Sequence, residues 1–184
     1  LDTSNGIAWS KWFVNGKTNL YKSSVEKFTK TFPEKIAYNF ISEDGIETKL
    51  SYLELNSKVS KLANGLKSLG VKKGDVIAIY LPMVEEAIVS ILAAAKIGAI
   101  QTIIFSGYSS ESLQIRLQDC HAKILLTSDG FHRKGKPVSQ KTTVETATEN
   151  TDIEKIIVVS YKGIDQYEKS EKIQFYDTLV SDQS

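Results

Sequence analysis

The densest chemistry in this chain lies in five consecutive residues, His132-Arg133-Lys134-Gly135-Lys136. Three cations and an imidazole set this close repel one another unless water or an anion stands between them. Arginine presents a planar fork that donates two parallel hydrogen bonds to a phosphate, and lysine offers a point charge. Gly135 lets the backbone bend so that Arg133 and Lys136 can converge. The residues alone leave three readings open: a solvated basic loop, a seat for a phosphate-bearing ligand, or a nucleic-acid contact.

Other candidates carry less. His121 and His132 have no cysteine or carboxylate at metal-ligand spacing, so both read as structural or surface residues and no metal is expected. Cys120 ends an apolar helical pattern and reads as a small core residue. Glu85-Glu86 opens a helix, where negative charge suits the macrodipole. Neither G-x-G-x-x-G nor the phosphate loop G-x-x-x-x-G-K-[ST] occurs, and no Ser, His and Asp set points to nucleophilic catalysis.

The surrounding elements must position the basic segment. Residues 35–41 and 46–51 read as two strands joined through Ser42-Glu43-Asp44-Gly45, a hairpin signal. Ser51 and Glu54 have capping-box spacing, and Leu55, Val59, Leu62, Leu66 and Leu69 recur three or four residues apart, which predicts a helix ending at Gly70. Continuous apolar strands over 76–81, 99–104, 123–127 and 155–161 then alternate with helices over 84–97 and about 110–120 and a weaker one before Asn150. That alternation predicts an α/β fold: a doubly wound, mostly parallel sheet with flanking helices. Residues 1–34 read as an irregular N-terminal arm whose Trp9, Trp12 and Phe13 would anchor it to the body, and 162–184 as a polar tail with an apolar patch at 173–176 and a helix start at Asp177. In such sheets ligands bind beyond the C-terminal strand ends. Three loops qualify: Pro82-Met83, 105–109 and the basic loop 128–137, the last two on one edge.

The chain has 184 residues, 41% hydrophobic and 24% charged, with a net charge of +1. These values fit one globular domain and exclude a disordered chain, a collagen and a coiled coil. A nucleic-acid binder usually carries a larger basic excess, so none is expected as a partner. No apolar run reaches the roughly 18 residues that span a membrane. The single cysteine points to a reducing compartment, the cytoplasm. The chain starts at Leu1, with no signal-peptide layout, and is expected to be a piece of something longer.

Several segments together resemble the AMP-forming, adenylate-forming enzymes. They are Leu50-Ser51-Tyr52-Leu53-Glu54-Leu55, then Gly70-Val71-Lys72-Lys73-Gly74-Asp75-Val76 running on to Leu81-Pro82, then Ala93-Ala94-Ala95-Lys96-Ile97-Gly98-Ala99, in the right order and spacing. Trp12-Phe13 with Asn15-Gly16-Lys17, Ile104-Phe105-Ser106-Gly107-Tyr108-Ser109 and Thr127-Ser128-Asp129-Gly130 are similar to the short-chain acyl-CoA synthetases of that family. The resemblance fades after about Ser160.

The resemblance implies the N-terminal subdomain of an enzyme that joins a short-chain carboxylate to coenzyme A through an acyl-adenylate, using Mg²⁺ and ATP. It implies that Arg133, Lys136, Phe105 and Gly107 meet coenzyme A, with Lys134 as a further phosphate contact, and that the remaining subdomains are the partner. Lys136 stands where a second arginine is common, and Glu26-Lys27-Phe28 where Asp-Arg-His is frequent. A loop of the type T-S-G-T-T-G-x-P-K is absent from these residues, so none is expected to be catalytic and the piece alone is expected to be inactive. The alternative is a stand-alone, non-catalytic module that binds a nucleotide or coenzyme A.

Overall fold

The computed structural model describes residues 1–43, 45–161, 163 and 166–183. A five-stranded sheet forms its centre. Its strands are β3 (Val76–Tyr80), β4 (Ile100–Ile103), β5 (Ile124–Ser128), β8 (Lys155–Val159) and β9 (Ile173–Phe175), side by side in the order β4-β3-β5-β8-β9 and all parallel. Alternate residues of one strand serve opposite cores. Ile77 and Ile79 join one cluster with Leu62, Leu66 and Val89, whereas Ala78 and Tyr80 join another with Leu113, Leu117 and Val144. The first cluster draws on helices α2 (Tyr52–Ser68), α3 (Glu85–Ile97) and α6 (Tyr176–Ser181). The second draws on α4 (Ser110–Cys120) and α5 (Lys141–Ala147). Burial on both faces is why β3, β5 and β8 are continuous apolar runs; β4, expected to be buried as well, lies at the sheet's edge with Ile100 56% and Ile103 65% exposed. The doubly wound parallel sheet expected from the alternation is therefore present.

Local chemistry sets the helix ends. Ser51 Oγ accepts the Glu54 N–H, and the Glu54 carboxylate accepts the Ser51 N–H at 2.8 Å, completing the expected capping box. At the other end Gly70 (φ +88°) donates to Lys67 O and Val71 to Leu66 O. This double bond satisfies carbonyls the helix leaves free and needs a left-handed residue. Gly98 closes α3 in the same way, and His121 (φ +49°) does so for α4. Strands β1 (Ile36–Ile41) and β2 (Glu47–Ser51) form the antiparallel hairpin in front of α2. Of its turn signal, Gly45 lies at φ +80°, and Asp44 lies outside the described residues.

Four expectations change. Residues 20–31 of the arm are helical, with Lys22–Glu26 π-helical before α1 (Lys27–Thr31). Two buried residues one turn apart, Tyr21 and Val25, fix that helix, too few for a visible apolar period. Trp9, Trp12 and Phe13 do not anchor the arm; they are 75%, 68% and 83% exposed. Residues 1–16 close on themselves through an Asp2–Lys11 bridge and a Gly16 N–H to Phe13 O bond. The arm meets the body at Asn19, whose Nδ2 donates to Ala95 O at 2.7 Å, and at Tyr21, whose hydroxyl donates to Asn56. The 128–137 segment, expected as a loop, is a hairpin of β6 (Gly130–Arg133) and β7 (Lys136–Ser139). The tail, finally, supplies β9 and α6 to the body.

Two measurements test these assignments. Ser51→Ala should lower stability to urea by about 1 kcal/mol, the usual worth of an N-cap. Asp75 accepts Lys123 Nζ at 2.9 Å and the Lys72 N–H at 2.8 Å, and these bonds hold its carboxyl below the ordinary carboxylate value. A depressed folded pKa stabilises the native state above the unfolded value and loses that contribution as pH falls through the folded one. The melting temperature should therefore drop as pH is lowered from about 4, and less steeply in Asp75→Asn.

Candidate functional site

All five parallel strands end on one edge, and the loops that leave them build the site. The loop after β4 carries Phe105 to Ser109, and β5 runs on into the β6–β7 hairpin. Between loop and hairpin lies a cavity of about 280 Å³, walled by Gly107, Tyr108 and Ser109 on one side and by Phe131, Arg133 and Val138 on the other. The two segments expected to share an edge do so. The Pro82-Met83 loop does not join them. Met83 instead borders a separate cavity of about 250 Å³ against the β1–β2 hairpin, with Phe40, Ile46 and Tyr161.

The hairpin's geometry arranges its charges. Lys134 (φ +53°) and Gly135 (φ +71°) form a two-residue turn with both central residues left-handed, the turn that matches the twist of paired strands. Arg133 and Lys136 are consequently direct cross-strand partners, as are Phe131 and Val138 two residues further in. Cross-strand partners, and residues two apart, share one face of a ribbon. Arg133 and Lys136 thus stand side by side on the face that walls the cavity, with Lys134 at the tip. Convergence comes from strand pairing and not from a bend at Gly135 alone. His132 takes the opposite face, with its ring 6.2 Å from that of Tyr161, so it does not join the cations.

On the facing wall Phe105 is 65% exposed and meets Tyr108 edge to face at 5.7 Å. A Cβ on Gly107 would lie 2.5 Å from Phe105 Cε1, so glycine is what allows the ring to fold over this loop. The Arg116 guanidinium lies 4.4 Å from the centre of the Tyr108 ring.

The groups that hold the walls together escaped the sequence reading. Gln140, only 1% exposed, donates to Ser106 O at 3.3 Å and accepts the Ser128 hydroxyl. Tyr80 lines the same cavity, and its hydroxyl donates to Tyr108 O at 2.8 Å. Burial pushes the Tyr80 hydroxyl above the ordinary tyrosine range, which keeps its donating proton in place. One amide thereby fastens the end of β5, the 105–109 loop and the base of the hairpin, and Tyr80 ties the end of β3 to the same loop. The sequence signal was slight: hydroxyls ending apolar strands, and a lone glutamine before a helix.

The remaining candidates fall elsewhere. Burial raises the Cys120 thiol, so it is not a ready thiolate. His121 pairs with Asp152 at 2.7 Å on the surface. Glu85 pairs with Lys58, and burial raises the Glu86 carboxyl. Among the described residues, no group of three or more His, Cys, Asp or Glu side chains could hold a metal ion, and no helix is long and apolar enough to cross a membrane.

The family model for AMP-binding enzymes matches residues 25–181. The chain belongs to the AMP-binding enzyme family. It is 46% identical over 178 residues to the acetyl-coenzyme A synthetase of Methanothrix thermoacetophila, covering 95% of this chain and 27% of that protein. It is 38% identical over 186 residues to the acetyl-coenzyme A synthetase of Streptomyces coelicolor, covering 28% of it. The acetoacetyl-CoA synthetase from Streptomyces lividans superposes with a TM-score of 0.81 at 26% identity, over 90% of this chain and 25% of that one. The chain therefore spans about a quarter of the length of the relatives it matches. The family match runs past Ser160, where the motif resemblance faded, and includes β9 and α6.

Gln140→Leu keeps the volume and removes the amide. It strands the Ser106 carbonyl, while the Ser128 hydroxyl still has Gly130 O at 2.8 Å to donate to, and a buried unsatisfied group costs about 1–3 kcal/mol. Chemical denaturation should show a loss in that range, and Gln140→Glu, which sets an unpaired carboxylate against the Ser106 carbonyl in a site that is 1% exposed, should lose at least as much.

Proposed function

We propose that this chain is the coenzyme A-binding wall of an AMP-forming short-chain acid–CoA ligase like the acetyl-coenzyme A synthetases it is similar to. That reaction joins a carboxylate, ATP and coenzyme A into acyl-CoA, AMP and diphosphate. The observation that carries the reading is the position of Arg133: it lines the cavity opposite Gly107, with Lys136 as its cross-strand partner. Among the described residues no carboxylate lies within ion-pair distance of Arg133, Lys134 or Lys136. Three cations without a counter-ion suit a polyanionic ligand.

In this reading Arg133 grips the 3′-phosphate of coenzyme A with its fork, and Lys136 adds a point charge beside it. Lys134 adds charge at the tip. Phe105 offers its exposed ring to the adenine, since every base has a face that stacks on an aromatic. Gly107 leaves that ring room to lie flat against the loop. ATP and Mg²⁺ are held by parts of the enzyme beyond these residues, because no T-S-G-T-T-G-x-P-K type loop lies among them. The lone Cys120 fits work in the cytoplasm.

Calorimetry on the purified chain tests the reading. Coenzyme A should bind, and Arg133→Ala should weaken it about ten- to a hundredfold, the worth of a charge-assisted hydrogen bond. Dephospho-coenzyme A should bind the wild type and the variant alike. Equal losses for both ligands would refute the phosphate assignment. Acetate-dependent ATP–diphosphate exchange should be absent from this chain, and its appearance would refute the division of labour.

A further inference from the structure

The tips of the two hairpins touch. Glu43, in the turn between β1 and β2, accepts the Gly135 N–H on its carboxylate at 2.9 Å, across 92 residues of sequence. Gly135 is the second left-handed residue of the basic turn, so its N–H points away from the β6–β7 ladder and is free to bind an anion. Glu43 follows Ser42, which bonds Ile46 through backbone and hydroxyl. A carboxylate thus stands at the tip of a ribbon whose three cations form no ion pair with any described carboxylate. It binds the turn's backbone and leaves the cationic heads open.

We infer that Glu43 is a specificity-determining competitor for the phosphate that Arg133 and Lys136 hold. It takes the turn's N–H and sets a negative charge beside the phosphate seat. A ligand held by charge alone, such as inorganic phosphate, must work against that charge. A ligand that also gains from Arg133, Lys136 and the facing wall overcomes it. Glu43 therefore lowers affinity for phosphate in general and sharpens the preference for a ligand that fills the cavity. This inference rests on the phosphate-binding reading of the hairpin given above.

Glu43→Gln keeps an acceptor for Gly135 and removes the charge. Glu43 is exposed, so the variant leaves the core untouched. By calorimetry at low salt, Glu43→Gln should bind coenzyme A about three- to tenfold more tightly than wild type, the effect of one charge facing a phosphate across water. The gain should shrink in 0.5 M salt, where the screening length falls to about 4 Å, and vanish for dephospho-coenzyme A. Weak binding of inorganic phosphate should rise by a larger factor than that of coenzyme A. Unchanged or weaker coenzyme A binding by Glu43→Gln, with Arg133→Ala still impaired, would overturn the role of Glu43 and leave the hairpin reading intact. Arg133→Ala without effect, or no coenzyme A binding by wild type and Glu43→Gln alike, would overturn both. Binding by Glu43→Gln where wild type shows none would support the inference.

Discussion

Burial of a parallel sheet on both faces is the constraint from which the other features follow. The side chains of β3 alternate between two dry cores, Ile77 and Ile79 on one side and Ala78 and Tyr80 on the other. The central strands β3, β5 and β8 have no wet face on which to place a polar site. Because the strands are parallel, their C-terminal ends lie along one edge, and the polar chemistry collects in the loops that leave it. The 105–109 loop and the β6–β7 hairpin are neighbours for that reason.

Position at an edge does not by itself hold a wall still. Gln140 supplies the hold, binding the Ser106 carbonyl and the Ser128 hydroxyl from a site that is 1% exposed. In a dry environment each of these bonds is hard to give up, because the groups left behind would find no water. The cavity inherits its shape from this buried knot, and its charge from the exposed ribbon attached to it. A buried base with an exposed, charged tip is the arrangement that the proposed ligand, with a flat ring at one end and a phosphate at the other, would need.

Electrostatics at the tip depend on strand pairing. Arg133 and Lys136 lie opposite each other because a two-residue turn separates them, and that turn needs left-handed backbone at Lys134 and Gly135. The same geometry frees the Gly135 N–H for Glu43. Insertion of a single residue in this turn would change the pairing, and with it both the cation pair and its acidic neighbour.

Much of this was legible in the sequence. Ser51, Glu54 and Gly70 determine where α2 begins and ends, since capping is a contest among near neighbours. The apolar runs that became β3, β5 and β8 determine a sheet covered on both sides, and the motif order carries the family. The basic residues were visible too, though the residues alone left a solvated loop, a phosphate seat and a nucleic-acid contact open. What only the tertiary structure decided depends on partners far apart in the chain. It turned a basic loop into a ribbon that pairs Arg133 with Lys136, drew β9 from a polar tail, left Trp9, Trp12 and Phe13 in solvent, and gave Gln140 and Glu43 their distant partners. Propensity and periodicity register the neighbours a residue has along the chain. A hydrogen bond between Glu43 and Gly135 exists only because the sheet edge brings two turns together, and nothing local to either residue announces it.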